Sequence, residues 1–441
     1  MRIAFVSANR EQLPDPVVPL GLLAVMTSTP PEHPRELWDL CFERDPGAFV
    51  AARLEAFRPQ LVAVGLRNLQ NSDYTGIEEN LRGYEALLAQ VRAWGPVPIV
   101  IGGAGFSVTP RELMERLRPD FGIAGEGERA FPALLAALQA GGEGLARIPN
   151  LHRFVAGELV TNPPPSALLD LDTLPAVDRG PVDPRYAALV GTGNVQTKRG
   201  CPLGCEYCTY PLVEGRRHRL RSPERVADEV AALAAQPGTR HLFFVDSVFT
   251  LPAAHAKAVC RALIAREVRV PWTCYANPIG FDDELAGLMK AAGCAGLEIG
   301  TDSGDDAILQ RLRKGFTVAQ VRAMHLRCVA HELPDCHTFV LGTTGETTAN
   351  VARTLDFLAE LDPFAAILMM WMDDLEAVEP ARSAERRAFR DQVRDLLVDR
   401  CKGQPRWIAP QLGINYDRRL LRILRKKGFS GPLWRFIRLN G

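Results

Sequence analysis

No sign of charge dominates this sequence. Fifty-two Lys and Arg are balanced by fifty-two Asp and Glu, so no global field would gather nucleic acid or an acidic membrane, and no nucleic-acid partner is expected. Long apolar runs are also missing. None approaches the roughly 20 residues that cross a bilayer, which excludes a transmembrane segment. The opening MRIAFVSANREQ lacks the cationic start, longer apolar stretch and cleavage site of a signal peptide, and reads as a buried strand. Cysteine is sparse, ten in all, and without a secretion signal this points to a reducing compartment, so a cytoplasmic location is expected. Internal repeats are absent. Histidine is nearly absent from the front of the chain, where only His33 occurs before residue 150.

What is present is ordinary in bulk and specific in pattern. Hydrophobic residues make up 47% and charged residues 24% of 441 positions, the balance of a globular protein with room for two or three domains. Residues 1–140 alternate apolar runs with helical stretches. IAFVS (3–7), LVAVGL (61–66), PIVIGG (98–103) and DFGIAG (120–125) read as strands, and 48–57, 78–94 and 129–140 carry helical periodicity. This alternation, with Gly-rich turns after strands, predicts an α/β fold: a doubly wound parallel sheet that binds ligands at the strand C-termini. Residues 141–192 include Pro163, Pro164 and Pro165 and have weak periodicity, so a surface linker is expected.

A second alternation fills 193–375. Its strands are NVQTKRG, HLFFVD (241–246), VPWTCYAN (270–277), GLEIGT (296–301), CHTFVLG (336–342) and AILMMWM (366–372). Six β/α units predict an open partial (β/α)6 barrel whose chemistry lies at the strand C-termini. Residues 376–441 read as a helical tail.

The first barrel strand runs into Lys198-Arg199-Gly200-Cys201-Pro202-Leu203-Gly204-Cys205-Glu206-Tyr207-Cys208. Three thiolates in a short loop can hold three irons of a cubane and leave the fourth iron open to an exchangeable ligand. Gly200 and Gly204 supply the backbone freedom that such a wrapped loop needs. A structural zinc is the competing reading. It suits the spacing less well, because zinc ribbons pair C-x2-C knuckles with a nearby fourth ligand, and the candidate here is His218.

C-x3-C-x2-C at the end of a barrel strand resembles the radical S-adenosylmethionine (SAM) superfamily, and the resemblance covers residues 193–375. It implies a 4Fe–4S cluster on Cys201, Cys205 and Cys208, with SAM chelating the open iron. An electron from the reduced cluster would cleave SAM to methionine and a 5′-deoxyadenosyl radical. Tyr207 occupies the family's aromatic position against the adenine. LEIGTDSGDDAILQRLRKGFT (297–317) resembles the fourth-strand motif that brings Asp302 and Ser303 to SAM, and Glu298 joins them as a candidate contact. A barrel-interior carboxylate already satisfied by its neighbours is the equal alternative for Glu298. FVLGTTGET (339–347) resembles the fifth-strand turn and nominates Gly342, although Thr344 stands where the family usually has proline. Phe244, Asp246 and Phe249 fit a second-strand pattern, which adds Asp246 to the SAM contacts. The family's Gly-Gly-Glu signature is missing, so the contact to the SAM amino group is unassigned.

In the first domain, Pro19-Leu20-Gly21-Leu22, Leu66-Arg67-Asn68-Leu69-Gln70-Asn71, Gly102-Gly103-Ala104-Gly105 and Gly125-Glu126-Gly127-Glu128 stand out. Each alone is an ordinary turn of a nucleotide-type sheet. Their combination resembles the cobalamin-binding domain that precedes the barrel in a subgroup of cobalamin-dependent radical SAM methyltransferases. That resemblance implies contacts to cobalamin from Leu20, Gly21, Arg67, Asn68, Gln70, Gly102, Gly103, Ala104 and Gly125 to Glu128. The Asp-x-His-x-x-Gly motif of cobalamin isomerases is absent, so no histidine is expected on the lower face of cobalt. Arg67 is the expected occupant, and a salt-bridged loop arginine is the alternative.

The remaining signals are weaker. Cys41, Cys260, Cys274, Cys294, Cys328, Cys336 and Cys401 form no second C-x2-C and are expected as buried thiols. Trp371, Asp373 and Asp374 end the sixth strand, where a substrate would face the radical. The basic stretch 418–438 is expected as a packed helix with a solvated face, with a membrane surface or an anionic substrate as alternatives. The resemblance implies a methyltransferase that modifies an unactivated carbon, and the lack of an added peptide- or RNA-binding module suits a small molecule, such as a natural-product intermediate or lipid precursor. One SAM would methylate cobalamin and a second would supply the radical. The alternatives are a non-methylating ring closure, rearrangement or oxidation on the same cofactors, and a non-catalytic carrier of cobalamin or the cluster. An external electron donor of flavodoxin or ferredoxin type and a monomeric state are expected.

Overall fold

A computed structural model describes residues 1–12, 15–69, 76–371 and 380–440. The chain divides into two compact units. One takes in Met1–Tyr186 with Thr209–Arg219, the other Ala187–Cys208 with Leu220–Gly441.

The first unit is built on a sheet of β1 (Ile3–Ser7), β2 (Arg35–Asp39), β3 (Leu61–Gly65), β4 (Ile99–Gly102), β5 (Phe121–Ile123), β6 (Leu151–Val155) and β7 (Glu158–Thr161). Its order is β2-β1-β3-β4-β5-β6-β7. The first five strands are parallel. Continuous apolar runs such as IAFVS and LVAVG are buried almost throughout, as strands covered on both faces must be. Helices α1 (Leu20–Ser28), α2 (Pro46–Phe57), α3 (Gly76–Trp94), α4 (Ala104–Val108), α5 (Pro110–Leu117) and α6 (Gly127–Gln139) follow the strands. Asp45 caps α2 by accepting from the Ala48 amide, and Pro46 occupies the first turn. Because β1 lies between β2 and β3, the strand order reverses beside it, and a crevice opens at the strand C-termini.

One strand is added here and one expectation corrected. RELWD forms an edge strand although only Trp38 in it is buried. Residues 151–161 are not linker but an antiparallel hairpin, β6 and β7, added to β5. The hairpin pairs the backbone groups that β5 would otherwise leave open at a sheet edge.

The second unit holds parallel strands Thr192–Val195, His241–Phe244, Trp272–Ala276, Cys294–Asp302, Asp335–Leu341 and Ala365–Met370 in sequential order, closed at neither edge. Helices Pro223–Ala234, Ala253–Ala265, Asp283–Ala291, Val318–Ala330 and Thr348–Leu361 alternate with them. Thr317 and Thr347 both head capping boxes. The tail is mostly helical, as expected, and adds one short strand. Trp407–Ile408 extends the sheet beside Ala365–Met370. After helix Arg418–Lys426, Trp434 returns to the barrel and donates from Nε1 to Glu298 Oε1 at 2.9 Å. Gly296 makes room for it, since a Cβ there would lie 2.5 Å from the indole. Among the described residues no helix is long and apolar enough to cross a membrane.

Candidate active site and cofactor sites

The cluster loop is fastened at its base by a buried charge pair. Asp246, just past the second barrel strand, accepts from the Thr197 amide at 2.7 Å and the Thr197 hydroxyl at 2.5 Å. It also receives Lys198 Nζ at 3.0 Å, while Lys198 reaches the Phe249 carbonyl at 3.1 Å. Both side chains are essentially inaccessible. A charge buried this deeply is tolerated only when paired and hydrogen-bonded. Asp246, expected at SAM, therefore holds together the strand ends from which the cysteine loop departs. Thr197 and Lys198 were missed, because a pairing across some fifty residues has no local signature.

Gly200 turns the chain at φ +86 into Cys201. Gly204 faces open space, with nothing within 4 Å of where a Cβ would lie. Cys201 is buried, and Cys205 and Cys208 are half-buried. Burial pushes the Cys205 thiol up; Lys314 pulls it down, and Asp302 and the other two cysteines push it up again. The thiols are thus near enough to feel one another. Among the described residues, however, the group with ligand atoms all within 4.8 Å of one another is His325, Asp335 and His337, not this triad. A tetrahedral zinc with Zn–S near 2.3 Å would draw its sulfurs to about 3.8 Å apart. A wider spacing fits a cubane, whose irons hold their thiolates further apart.

Beside the loop, Tyr207 donates its hydroxyl to Asp302, and Lys314 Nζ lies 2.7 Å from the same carboxylate oxygen. Lys314 also sits 5.6 Å from the centroids of the Tyr207 and Phe316 rings. Asp302 takes a left-handed φ of 63 where its strand ends, and this turns its carboxylate toward the loop. Burial, then the Asp302 charge, pushes the Tyr207 hydroxyl far above the usual phenol range, so it remains a donor. Lys314 lies within RLRKGFT, and a lysine near a motif aspartate is its only signal in the sequence. The Trp371 ring meets the Tyr207 ring at 5.8 Å, bringing the end of the sixth strand to the cluster loop. Asp373 and Asp374 lie outside the described residues.

The other expected SAM residues divide. The Ser303 hydroxyl lies 3.1 Å from Thr354 Oγ1 and accepts the Asp305 amide, so it fastens a turn inside the protein. Glu298 accepts from Trp434, and burial pushes its carboxyl up. Gly342 turns at φ +81, and Glu346, which was missed, accepts the Gly342 and Thr343 amides at 2.8 Å through Oε2. Its Oε1 is buried without a hydrogen-bond partner, and burial pushes this carboxyl up. His325, Asp335 and His337 form a separate ladder: Asp335 Oδ2 lies 2.6 Å from His325 and 3.1 Å from His337, whose other ring nitrogen meets Thr301. Hydrogen bonds account for this group.

In the first unit, the segments expected at cobalamin converge on the strand C-termini. Leu66 and Arg67 follow β3, Gly102 ends β4, and Gly103 turns at φ +102 into α4 at Ala104. A Cβ on Gly103 would lie 2.6 Å from the Leu66 carbonyl oxygen, and one on Gly105 3.2 Å from that of Arg67. These glycines therefore let the two loops pack closely, and a side chain at either position would collide with main chain. Gly125 donates to Ser107 Oγ at 2.7 Å. Glu126 precedes α6 without capping it through its side chain, and its two oxygens lie 2.7 and 2.6 Å from Arg219 Nη1, so its carboxylate is already paired. Glu128 is buried in the first turn of α6. Leu20 and Gly21 open α1, and a Cβ on Gly21 would meet nothing. Asn68 accepts the Tyr84 hydroxyl through its carbonyl. The Arg67 charge is felt by Cys41 and Tyr84. Gln70 lies outside the described residues. His33 is buried at the opposite strand ends, 2.9 Å from the Met1 ammonium, so it is not placed to ligate cobalt. The segments gathered at these strand ends present main chain and an exposed Gly21, which suits a large, flat cofactor.

Residues 195–358 match the radical SAM superfamily and residues 11–135 match the B12 binding domain. The chain is a radical SAM enzyme with a cobalamin-binding domain in front of its barrel. Among its relatives, an uncharacterised methyltransferase of Pyrococcus horikoshii is 29% identical over 78% of this chain and 73% of its own. Tryptophan 2-C-methyltransferase of Streptomyces laurentii is 27% identical over 80% and 70%. The structure of the methyltransferase TsrM from Kitasatospora setae, with cobalamin and a [4Fe–4S] cluster bound, superposes with TM-score 0.76 at 27% identity over 84% of this chain and 75% of that one. OxsB shares the fold at TM-score 0.68 and 16% identity over 98% and 63%. The protein thus belongs to the cobalamin-dependent radical SAM subgroup that includes methyltransferases, and its cofactors are a 4Fe–4S cluster, SAM and cobalamin.

Proposed function

We propose that this enzyme methylates an unactivated carbon of a small molecule, a natural-product intermediate or lipid precursor. The observation that carries the reading is the relatedness to methyltransferases through both domains, over 78% and 80% of the chain. When bound, the cluster supplies an electron to SAM and cobalamin carries the methyl group. The protein's own part is placement. Cys201, Cys205 and Cys208 would hold the cluster, on a loop whose base Lys198 and Asp246 keep rigid. Tyr207, with Asp302 and Lys314 behind it, offers SAM a fixed ring face. Trp371 would wall the substrate and exclude water near Tyr207. Leu20, Gly21, Gly102, Gly103, Ala104 and the Gly125–Glu128 turn would cradle cobalamin, and Arg67 would line the same site as a cation that cannot ligate cobalt. An Arg67→His variant with an unchanged cobalamin spectrum would exclude that last assignment. Electrons would come from a flavodoxin- or ferredoxin-type donor, and the enzyme would act as a monomer in the cytoplasm.

Methyl-labelled SAM tests the reaction. Label in the product supports methylation. SAM cleavage with an unlabelled product would instead support ring closure or oxidation. That second reading draws on the anaerobic magnesium-protoporphyrin IX monomethyl ester cyclase of Rubrivivax gelatinosus, 25% identical over 62% of this chain and 50% of its own.

A further inference from the structure

The chain as a whole is neutral, yet one face near its end is strongly basic. Helix Arg418–Lys426 begins at Asp417, whose side chain accepts the Arg419 and Leu420 amides. Leu421 is buried on its inner side, and Arg425 donates to the carbonyls of Phe429 and Gly431 at 2.9 and 2.8 Å. Those carbonyls belong to a turn pressed against the start of a barrel strand, where a Cβ on Gly431 would lie 2.9 Å from the His241 ring. Ser430 adds a hydrogen bond to the Val190 carbonyl. The helix is therefore fixed to the end of the barrel where strands begin, away from the cysteine loop.

Its outer face carries Arg419, Arg422, Lys426 and Lys427, all exposed. None of them forms an ion pair among the described residues. Between them lie Leu420 and Ile423, 37% and 49% exposed although both are large aliphatics. They stand three residues apart and so project together. Aliphatic side chains ringed by cations, with no carboxylate interspersed, match the interfacial region of an anionic bilayer. There the cations meet headgroup charge and the aliphatics enter the acyl boundary. A nucleic acid would use the cations but leave Leu420 and Ile423 in water. We propose that this helix binds the protein peripherally to anionic lipid membranes through Arg419, Leu420, Arg422, Ile423, Lys426 and Lys427, holding the barrel with its strand C-termini facing away from the bilayer.

Co-sedimentation of the cofactor-loaded enzyme with vesicles tests this, comparing phosphatidylcholine alone with phosphatidylcholine mixed with phosphatidylglycerol. Binding is expected to the anionic vesicles only, and to fall at least about tenfold when salt is raised, as screening requires. R419E/R422E/K426E/K427E and L420S/I423S should each lose binding by a similar factor while retaining cluster absorbance and SAM cleavage. The conservative R419K/R422K should bind as wild type and controls for folding. No vesicle binding at low salt, equal binding to neutral vesicles, or L420S/I423S binding unchanged would overturn the proposal. So would duplex DNA displacing the vesicles fully from the wild type and binding L420S/I423S as tightly as the wild type.

Discussion

Lys198 and Asp246 form an ion pair 3.0 Å long with 1% and 0% of their side chains exposed, and the cysteine loop departs directly from it. Removing one partner strands the other charge in the interior. Asp246→Asn and Lys198→Met should each lower stability by about 3–5 kcal/mol. The iron retained after anaerobic reconstitution should fall with it, because the loop loses the base that sets its direction. Iron per chain alongside thermal unfolding checks this, and full iron occupancy in Asp246→Asn would contradict it.

Tyr207, Asp302 and Lys314 form a second polar group, with separable roles. Tyr207→Phe leaves Asp302 paired with Lys314, so the fold and iron content should persist while SAM binds more weakly. Lys314→Met leaves Asp302 buried beside a bare hydroxyl, and about 3–5 kcal/mol of stability should be lost. Equilibrium binding of SAM and urea unfolding of the two variants distinguish these outcomes.

Glu126 and Arg219 lie ninety-three positions apart in sequence and form a close, half-buried pair. Glu126→Gln should weaken the anchorage of the 209–219 segment. Tryptic cleavage after the exposed Arg216 and Arg217 should then quicken several-fold, while β-sheet circular dichroism stays the same.

Gly103 combines φ +102 with a Cβ position 2.6 Å from backbone. Gly103→Ala should destabilise the first unit by more than the roughly 1 kcal/mol of an ordinary glycine replacement. Cobalamin retained through gel filtration should drop accordingly, whereas Gly21→Ala, facing open space, should leave stability unchanged.

Acid should destabilise the fold in two stages. His241 is buried with Nδ1 unpartnered; burial, then Arg435 and Arg425, hold it down at about 3. Its unfolded value is about 6.5. Between these values the unfolded chain binds a proton that the folded chain refuses, so stability is complete above the upper value and declines as pH falls. The slope is at most about 1.4 kcal/mol per pH unit for one group. Burial pushes Asp335 up, but hydrogen bonds from His325 and His337 outweigh it and hold the carboxyl well below the usual range. That stability is present above the unfolded carboxylate value and is lost below it. Melting temperature should decrease from about pH 7.5 to about pH 5, and His241→Gln should flatten the upper part of that decline.

Much of the architecture could be read from local pattern. Runs such as IAFVS and HLFFVD are continuous because both faces are covered, and the cysteine spacing carries its chemistry within eight residues. The edge elements could not be read. RELWD and the hairpin after Leu151 have mixed polarity because one side meets solvent, and Trp407–Ile408 is too short to show a period. Side-chain partners could not be read where they are distant in sequence. Asp246 carried the right motif, but Lys198 and Thr197 determine what its carboxylate does. Glu126 sat in the right turn, but Arg219 neutralises it. At Gly103 the Leu66 carbonyl crowds the Cβ position, a close approach that the local pattern does not show.

The grouping of Thr209–Arg219 with the first unit, although they follow Cys208 in the chain, bears on how this enzyme can be taken apart. No single cut yields both halves intact. A fragment ending near Tyr186 would lack the strip that carries Arg219, and a fragment starting near Ala187 would keep that strip without Glu126 to hold it. Exchanging the cobalamin domain between relatives would require two splices, with residues 209–219 travelling alongside residues 1–186.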